Sequence, residues 1–349
     1  MTNVTIDGVQ VGPEHPPYII AELSANHNGS LERALETINE AKQRGASAIK
    51  LQTYTADTMT IDSDRPEFLI KGGPWDGYKL YDLYKWAQTP FEWHKAMFEH
   101  ARKIGITVFS TPFDETAVDL LEELNAPAYK IASFEVTDLP LIEYVAKTGK
   151  PMIMSTGMAS EQEIEEAVTT ARNAGCKELV LLHCISSYPA PIEQANLAQV
   201  RELGQKFAAV PGLSDHTLGT TASVAAVALG ACLIEKHFIL NREDGGPDSG
   251  FSIEPEELER LCQDSKDAWA AVGKVGYMRQ QAEKPNRIFR RSIYFMRDMK
   301  AGETVREQDI RRIRPGVGIE PKYFNTLIGK KLSVDVTKGT PTSWEQFNE

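Results

Sequence analysis

The chain has 349 residues, with 38 Lys and Arg against 49 Asp and Glu, a formal net charge of −11. Hydrophobic residues at 42% and charged residues at 25% are proportions of a globular protein, which excludes a fibrous or intrinsically disordered chain. The acid surplus speaks against a protein that coats nucleic acid, yet leaves room for a small anionic substrate in a locally basic pocket.

A length above the ~250–300 residues at which single cores stop growing calls for one large domain and a small one. The N-terminal MTNVTIDGVQVGPEHPPYII has no basic segment followed by an apolar one, and no stretch approaches the ~20 apolar residues that span a bilayer. No membrane partner and a cytoplasmic location are therefore expected. Cys176, Cys184, Cys232 and Cys262 lack metal-type spacing and are expected to be reduced and packed.

From Pro17 to Trp269 short apolar runs alternate with amphipathic segments. Eight runs read as strands: YIIAEL, SAIKLQT, ITVFSTP, AYKIAS, PMIMSTG, LVLLHCI, AVPGLSDH and CLIEKHF. Helical patterns such as LERALETINEAKQRG, EWHKAMFEHARKIG and SEQEIEEAVTTARNAG lie between them, several ending in Gly. Eight alternations predict an α/β fold, a (β/α)8 TIM barrel, in preference to a doubly wound sheet. Polar residues recur at strand C-termini, where a barrel gathers its site, and no GxGxxG follows the first strand. The long insertion from Tyr54 to Pro90 is rich in aromatic residues and is expected to be a lid or pocket wall. Beyond Lys284 short β-like pieces with Gly turns predict a small β-rich domain, giving boundaries of 1–284 and 285–349. Within it, MRDMKAGETV and SVDVTKGTPT resemble one another.

Side chains alternate along strands, so Glu235 and His237 share one face of CLIEKHF and Ser214 and His216 share one face of GLSDHT. The two His are expected to be neighbours at the barrel mouth, either as ligands of a divalent ion or merely hydrogen-bonded. Lys50 and Lys130 lie within strands, where a bare ammonium is costly to bury. With Ser133, Ser155 and Thr156 they describe a cationic site for phosphate and carboxylate, unless each Lys pairs with a structural Glu such as Glu22. Glu22 itself could be a base, an orienting group or that partner.

The stretches AELSANHNGS, AIKLQTY, FSTPFD, YKIAS, STGMAS, SSYPAP, GLSDHT and IEKHF, in this order at strand ends, resemble the N-acetylneuraminate synthase family of sialic acid synthases. The tail NRIFRRSIYFMRDMKAGE with RPGVGIEP resembles that family's C-terminal antifreeze-like (SAF) domain. AELSANH and the insert segment FLIKGGPWDGYKLYDLYKW are most similar to the family's pseudaminic acid synthase branch.

The resemblance implies condensation of phosphoenolpyruvate with 2,4-diacetamido-2,4,6-trideoxy-altrose, releasing phosphate. Neuraminate or legionaminate synthesis from N-acetylmannosamine or a related sugar is the alternative within the family. An inactive sugar- or phosphate-binding barrel is the alternative outside it. The resemblance makes His216 and His237 ligands of a divalent metal, manganese first, with magnesium or cobalt behind it. It makes Glu22, His216 and His237 catalytic. Lys50, Thr111, Lys130, Ser133, Ser155, Ser214 and Glu235 become candidates for substrate binding, with Tyr188 and Asp248 beside the sugar. It further implies a domain-swapped homodimer in which Arg291, or the adjacent Arg290, contacts the sugar's N-acetyl group in a partner subunit. His183 and Cys184 are expected to be core.

Overall fold

The computed structural model describes residues 3–348. These divide into two compact units that meet between Gly273 and Lys274.

In the first unit a short hairpin, β1 Val4–Ile6 and β2 Val9–Val11, precedes eight parallel strands. They are β3 Tyr18–Glu22, β4 Ala48–Thr53, β5 Thr107–Pro112, β6 Tyr129–Ile131, β7 Met152–Ser155, β8 Leu179–Cys184, β9 Val210–Asp215 and β10 Leu233–His237. They close into a barrel in chain order, with β10 paired to both β9 and β3. All eight coincide with apolar runs expected to be strands. Both strand faces are buried, which is why the runs are nearly continuous rather than alternating.

Alternation still decides which residue goes where. Ile19, Ala21, Ile49 and Leu51 face outward and pack with the helices. Helix Glu161–Asn173 presents Ile164, Ala167, Val168 and Ala171 to that layer and starts at a Ser160–Glu163 capping box. Tyr18, Ile20, Ala48, Phe109, Ile153 and Leu233 point into the barrel, where Val4, Ile6 and Val11 of the hairpin join them. The hairpin is therefore a plug at the N-terminal end of the barrel. Each of these wholly buried aliphatic side chains contributes about 1.5–3 kcal/mol by leaving water. At Gly212 on β9 a Cβ would come within 2.5 Å of Leu182 Cδ2 and of Leu233 O, so this crowded layer accepts only glycine.

One or two residues further along each strand the inward positions turn polar. Registration fixes their neighbours: Glu22 is level with Lys50 and with His237, Glu235 with Ser214, and Ser214 with Cys184. The insertion after β4 carries helices Ala56–Met59 and Leu80–Ala87 and a bridge between Leu69 and Lys79.

In the second unit strands β11 Ser292–Phe295 and β12 Ile310–Ile313 pair antiparallel over a core that includes Ile293, Phe295, Val305, Leu327 and Leu332. The two similar phrases face each other. Met299 and Val336 exchange backbone hydrogen bonds of 2.9 Å. Lys338 N donates to Asp298 at 2.8 Å, while Ala301 N donates to Asp335 at 2.9 Å. Gly302 and Gly339 complete equivalent turns at φ 87° and 86°, a backbone region that favours glycine. A unit this small gains from each part capping the other. The residues from 274 to 290, which the sequence reading divided at 284, are exposed throughout.

Candidate active site

A cavity of about 390 Å³ opens at the C-terminal ends of the barrel strands. Of the site residues expected from the sequence, Glu22, Lys50, Thr111, Lys130, Ser133, Ser155, Tyr188, Ser214, His216, Glu235, His237 and Asp248 line it. Arg291 and its alternative Arg290 do not, nor does Thr156, whose hydroxyl donates to Leu182 O at 3.1 Å. The lining residues come from all eight strands or the loops after them. Only closure of the barrel brings them together.

Lys50 and Glu22 form a buried ion pair, Nζ to Oε1 at 2.7 Å, and Lys50 also donates to Thr111 Oγ1 at 3.2 Å. Burial alone would neutralise Glu22, but the His237 and Lys50 charges and hydrogen bonds from Lys50 and Gln52 outweigh it and hold its carboxyl well below the usual range. Burial likewise opposes charge on Lys50, and Glu22 with Glu235 prevail, raising its pKa. The pairing of Lys50 with Glu22, one of the two sequence alternatives, is thus present without excluding an anion.

Lys130 differs. Its Nζ donates to Ile131 O at 3.1 Å and stands 3.6 Å from Glu235 Oε1, so burial wins and its pKa falls. A bound anion would raise it again. Ser155 Oγ lies nearby in the lining with no hydrogen-bond partner, and Ser133 Oγ accepts from Gly157 N at 3.1 Å. A Cβ at Gly157 would run into the Ser133 and Ser186 hydroxyls, so the glycine keeps this hydroxyl-rich corner open.

The expected cationic pocket needs correction. Glu22, Glu135, Glu235 and Asp248 line the cavity against only two ammoniums, Lys50 and Lys130. Burial pushes the Glu135 carboxyl up to about 7, against the pull of Lys130, and its Oε2 has no hydrogen-bond partner. The remaining acid surplus suits a divalent cation as much as a substrate anion.

His216 and His237 sit with ring centroids 5.5 Å apart. The His216 Nδ1 is 3.0 Å from Ile185 O, which accepts a proton held there; burial opposes charge on this ring, but Cys184 and the Ile185 carbonyl prevail and raise its pKa. His237 Nε2 is 3.2 Å from Glu22 Oε2, and its buried Nδ1 has no hydrogen-bond partner, with Asp248 Oδ2 3.9 Å away. Burial lowers the His237 pKa despite the attraction of Glu22 and Asp248. An orphaned imidazole nitrogen beside a second imidazole fits a metal ion. Among the described residues no group of three or more His, Cys, Asp and Glu is arranged to hold one.

Several lining residues escaped the sequence reading. Gln52, two residues beyond Lys50 and hence on its face, donates to Glu22 at 2.8 Å; strand alternation alone could have found it. Ser24 donates to Asp248 at 2.5 Å across 224 residues of chain, a contact with no local signal. His183 is core as expected, 2.8 Å from Ala195 O, but Cys184 lines the cavity with its Sγ 3.7 Å from His216 Nδ1. The inward side of the insertion supplies Met59, Ile70, Trp75, Leu80 and Leu83 to the wall. Arg291 and Arg290 belong to the second unit and are exposed, and Arg290 borders a shallow recess with Arg279, Glu283, Asn286 and Arg287. No helix of the described residues is long and apolar enough to cross a membrane.

The NeuB family model matches residues 37–277, and the SAF domain model matches residues 290–348. The chain is 43% identical to a pseudaminic acid synthase of Helicobacter pylori over 94% of this chain and 97% of that one. It is 37% identical to an N,N'-diacetyllegionaminic acid synthase of Legionella pneumophila over 99% of each. Among solved structures it resembles an N-acetylneuraminic acid synthetase from Leptospira borgpetersenii, determined with citrate, at 33% identity and a TM-score of 0.74, covering 82% of this chain and 95% of that one.

Proposed function

Because the chain belongs to the NeuB family and carries a SAF domain after it in sequence, we propose that it condenses phosphoenolpyruvate with 2,4-diacetamido-2,4,6-trideoxy-altrose, the reaction of a pseudaminic acid synthase. The observation that carries this reading is the joint lining of one cavity by Lys50, Lys130, the Ser133 and Ser155 hydroxyls, and a His pair on adjacent strands.

Lys130, Ser133 and Ser155 hold the phosphate, and Lys50 with Thr111 meets the carboxylate; these are positioning and electrostatic contributions. Asp248 and Tyr188 hydrogen-bond the open-chain sugar and turn its aldehyde toward His216 and His237. Those two residues would hold a divalent ion, manganese in this reading, which would supply Lewis-acid polarisation of the aldehyde oxygen. The C3 carbon of phosphoenolpyruvate bonds to the aldehyde carbon, and the cation left at C2 takes up water. Glu22, ionised and aimed at His237, orients that water, and the proton the water gives up passes to the alkoxide formed at the former aldehyde oxygen. Collapse of the tetrahedral species expels phosphate and leaves a nine-carbon 2-keto acid.

The chain works as a domain-swapped homodimer in the cytoplasm, with Arg291 of one copy contacting the acetamido group in the other copy's barrel. Arg291 is exposed in its own unit, as a residue destined for another copy must be. Incubation with phosphoenolpyruvate, manganese and candidate sugars, followed by phosphate release, tests the assignment. Release with the trideoxy sugar supports it. Release only with N-acetylmannosamine moves the chain to the neuraminate branch, and no release with any amino sugar refutes an enzyme.

A further inference from the structure

The cavity has two chemically distinct sides. Its floor, from the strand ends, is polar, whereas the side built by the 54–90 insertion is mostly apolar: Met59, Ile70, Trp75, Leu80 and Leu83, with Tyr54 and Tyr84 carrying its hydroxyls. A ladder of rings orders the space between them. Tyr188 lies 4.3 Å from His216 and Phe251 5.0 Å from His237, and Trp75 packs on both at 5.6 and 6.3 Å. Trp75 is thus one ring layer further from the His pair than Tyr188 and Phe251.

The insertion holds this wall in place from both ends. Ile70 N donates to Tyr78 O at 2.9 Å and Gly77 N to Ile70 O at 3.0 Å, closing a loop with Trp75 at its tip. Trp75 Nε1 donates to Pro247 O at 2.9 Å, the residue before Asp248. A sugar whose aldehyde is at the His pair and whose hydroxyls meet Asp248 has its far end directed beyond Asp248, into this wall.

We infer that the insertion wall, through Ile70, Trp75, Leu80 and Leu83, is the specificity element that selects a sugar ending in a methyl group over one ending in a hydroxymethyl group. The inference rests on the condensation reading above and adds the part of the substrate that the wall reads. A hydroxymethyl end would lose its water there and meet no hydrogen-bonding side chain among those four except the indole N–H, which is already committed to Pro247. Apolar pockets of this kind discriminate against an added hydroxyl by about 100-fold.

The test compares 2,4-diacetamido-2,4,6-trideoxy-altrose with its 6-hydroxy counterpart, by kcat/KM and by calorimetric binding. The wild-type chain is expected to prefer the methyl sugar by about 100-fold in both readouts. In Ile70→Thr and Leu80→Asn, both at half-buried positions, the preference is expected to fall below about 10-fold. Because the two sugars are compared within one variant, a general loss of folding or metal cannot imitate the change. Turnover with no wild-type preference, or a preference unchanged in both variants, overturns the inference. Absence of turnover with a retained binding preference refutes the condensation reading and leaves the wall standing.

Discussion

Replacing Glu135 by Gln tests the electrostatics of the cavity directly. Glu135 closes the short turn Ser133–Glu135 after β6, and burial raises its carboxyl from 4.5 to about 7. A carboxyl raised on folding binds its proton more tightly in the folded chain. Its stabilising effect is complete below the unfolded value and is lost as pH rises through the folded one. The span from 4.5 to about 7, at ~1.4 kcal/mol per pH unit, corresponds to roughly 3 kcal/mol. Glu135→Gln keeps the size and removes the charge, so it is expected to unfold like the wild type near pH 4.5 and to be more stable by roughly 3 kcal/mol above pH 7. Urea unfolding followed by circular dichroism between pH 4.5 and 8.5, metal-free and at one protein concentration, measures the difference. A difference that is flat with pH would show the carboxylate to be solvated and would refute the argument.

His216→Ala is expected to abolish metal-stimulated phosphate release and to weaken manganese binding in titration calorimetry; full activity of the variant after chelation would overturn the ligand assignment. Arg291→Ala should raise KM for the sugar with little change in KM for phosphoenolpyruvate, and an unchanged value shifts the contact to Arg290. Mixing Arg291→Ala with His216→Ala should restore part of the activity, since the intact barrel of the first receives the intact Arg of the second; no recovery after subunit exchange argues against the swap. Ile6→Ala, at a wholly buried position of the hairpin plug, should cost about 2–5 kcal/mol in urea unfolding, and a loss near zero would show that the hairpin does not seal the barrel.

Strand positions were legible because a parallel barrel buries both faces of every strand, and each buried face needs an uninterrupted apolar run. The same runs carry Lys50, Lys130, Glu235 and His237 among aliphatic neighbours, and charges so placed draw attention by their cost. Cys184 is buried as expected and lines the cavity as well; one thiol packs as well as any small apolar group, and nothing in LVLLHCI distinguishes a wall-lining sulfur from a core one. The hairpin Val4–Val11 passed unnoticed for a related reason: three-residue strands are shorter than any periodicity can register.

The sequence by itself determined the eight strands, the inward alternation and the kinds of chemistry at their ends, because these follow from local period and from the cost of burying charge. Tertiary closure decided who meets whom. It aligned Glu22 with both Lys50 and His237, brought Ser24 to Asp248 across 224 residues, and laid Trp75 over Tyr188 and Phe251. Those distances set each pKa and the sign of the cavity's charge, since Coulomb energies depend on separation and desolvation, which no one-dimensional pattern contains.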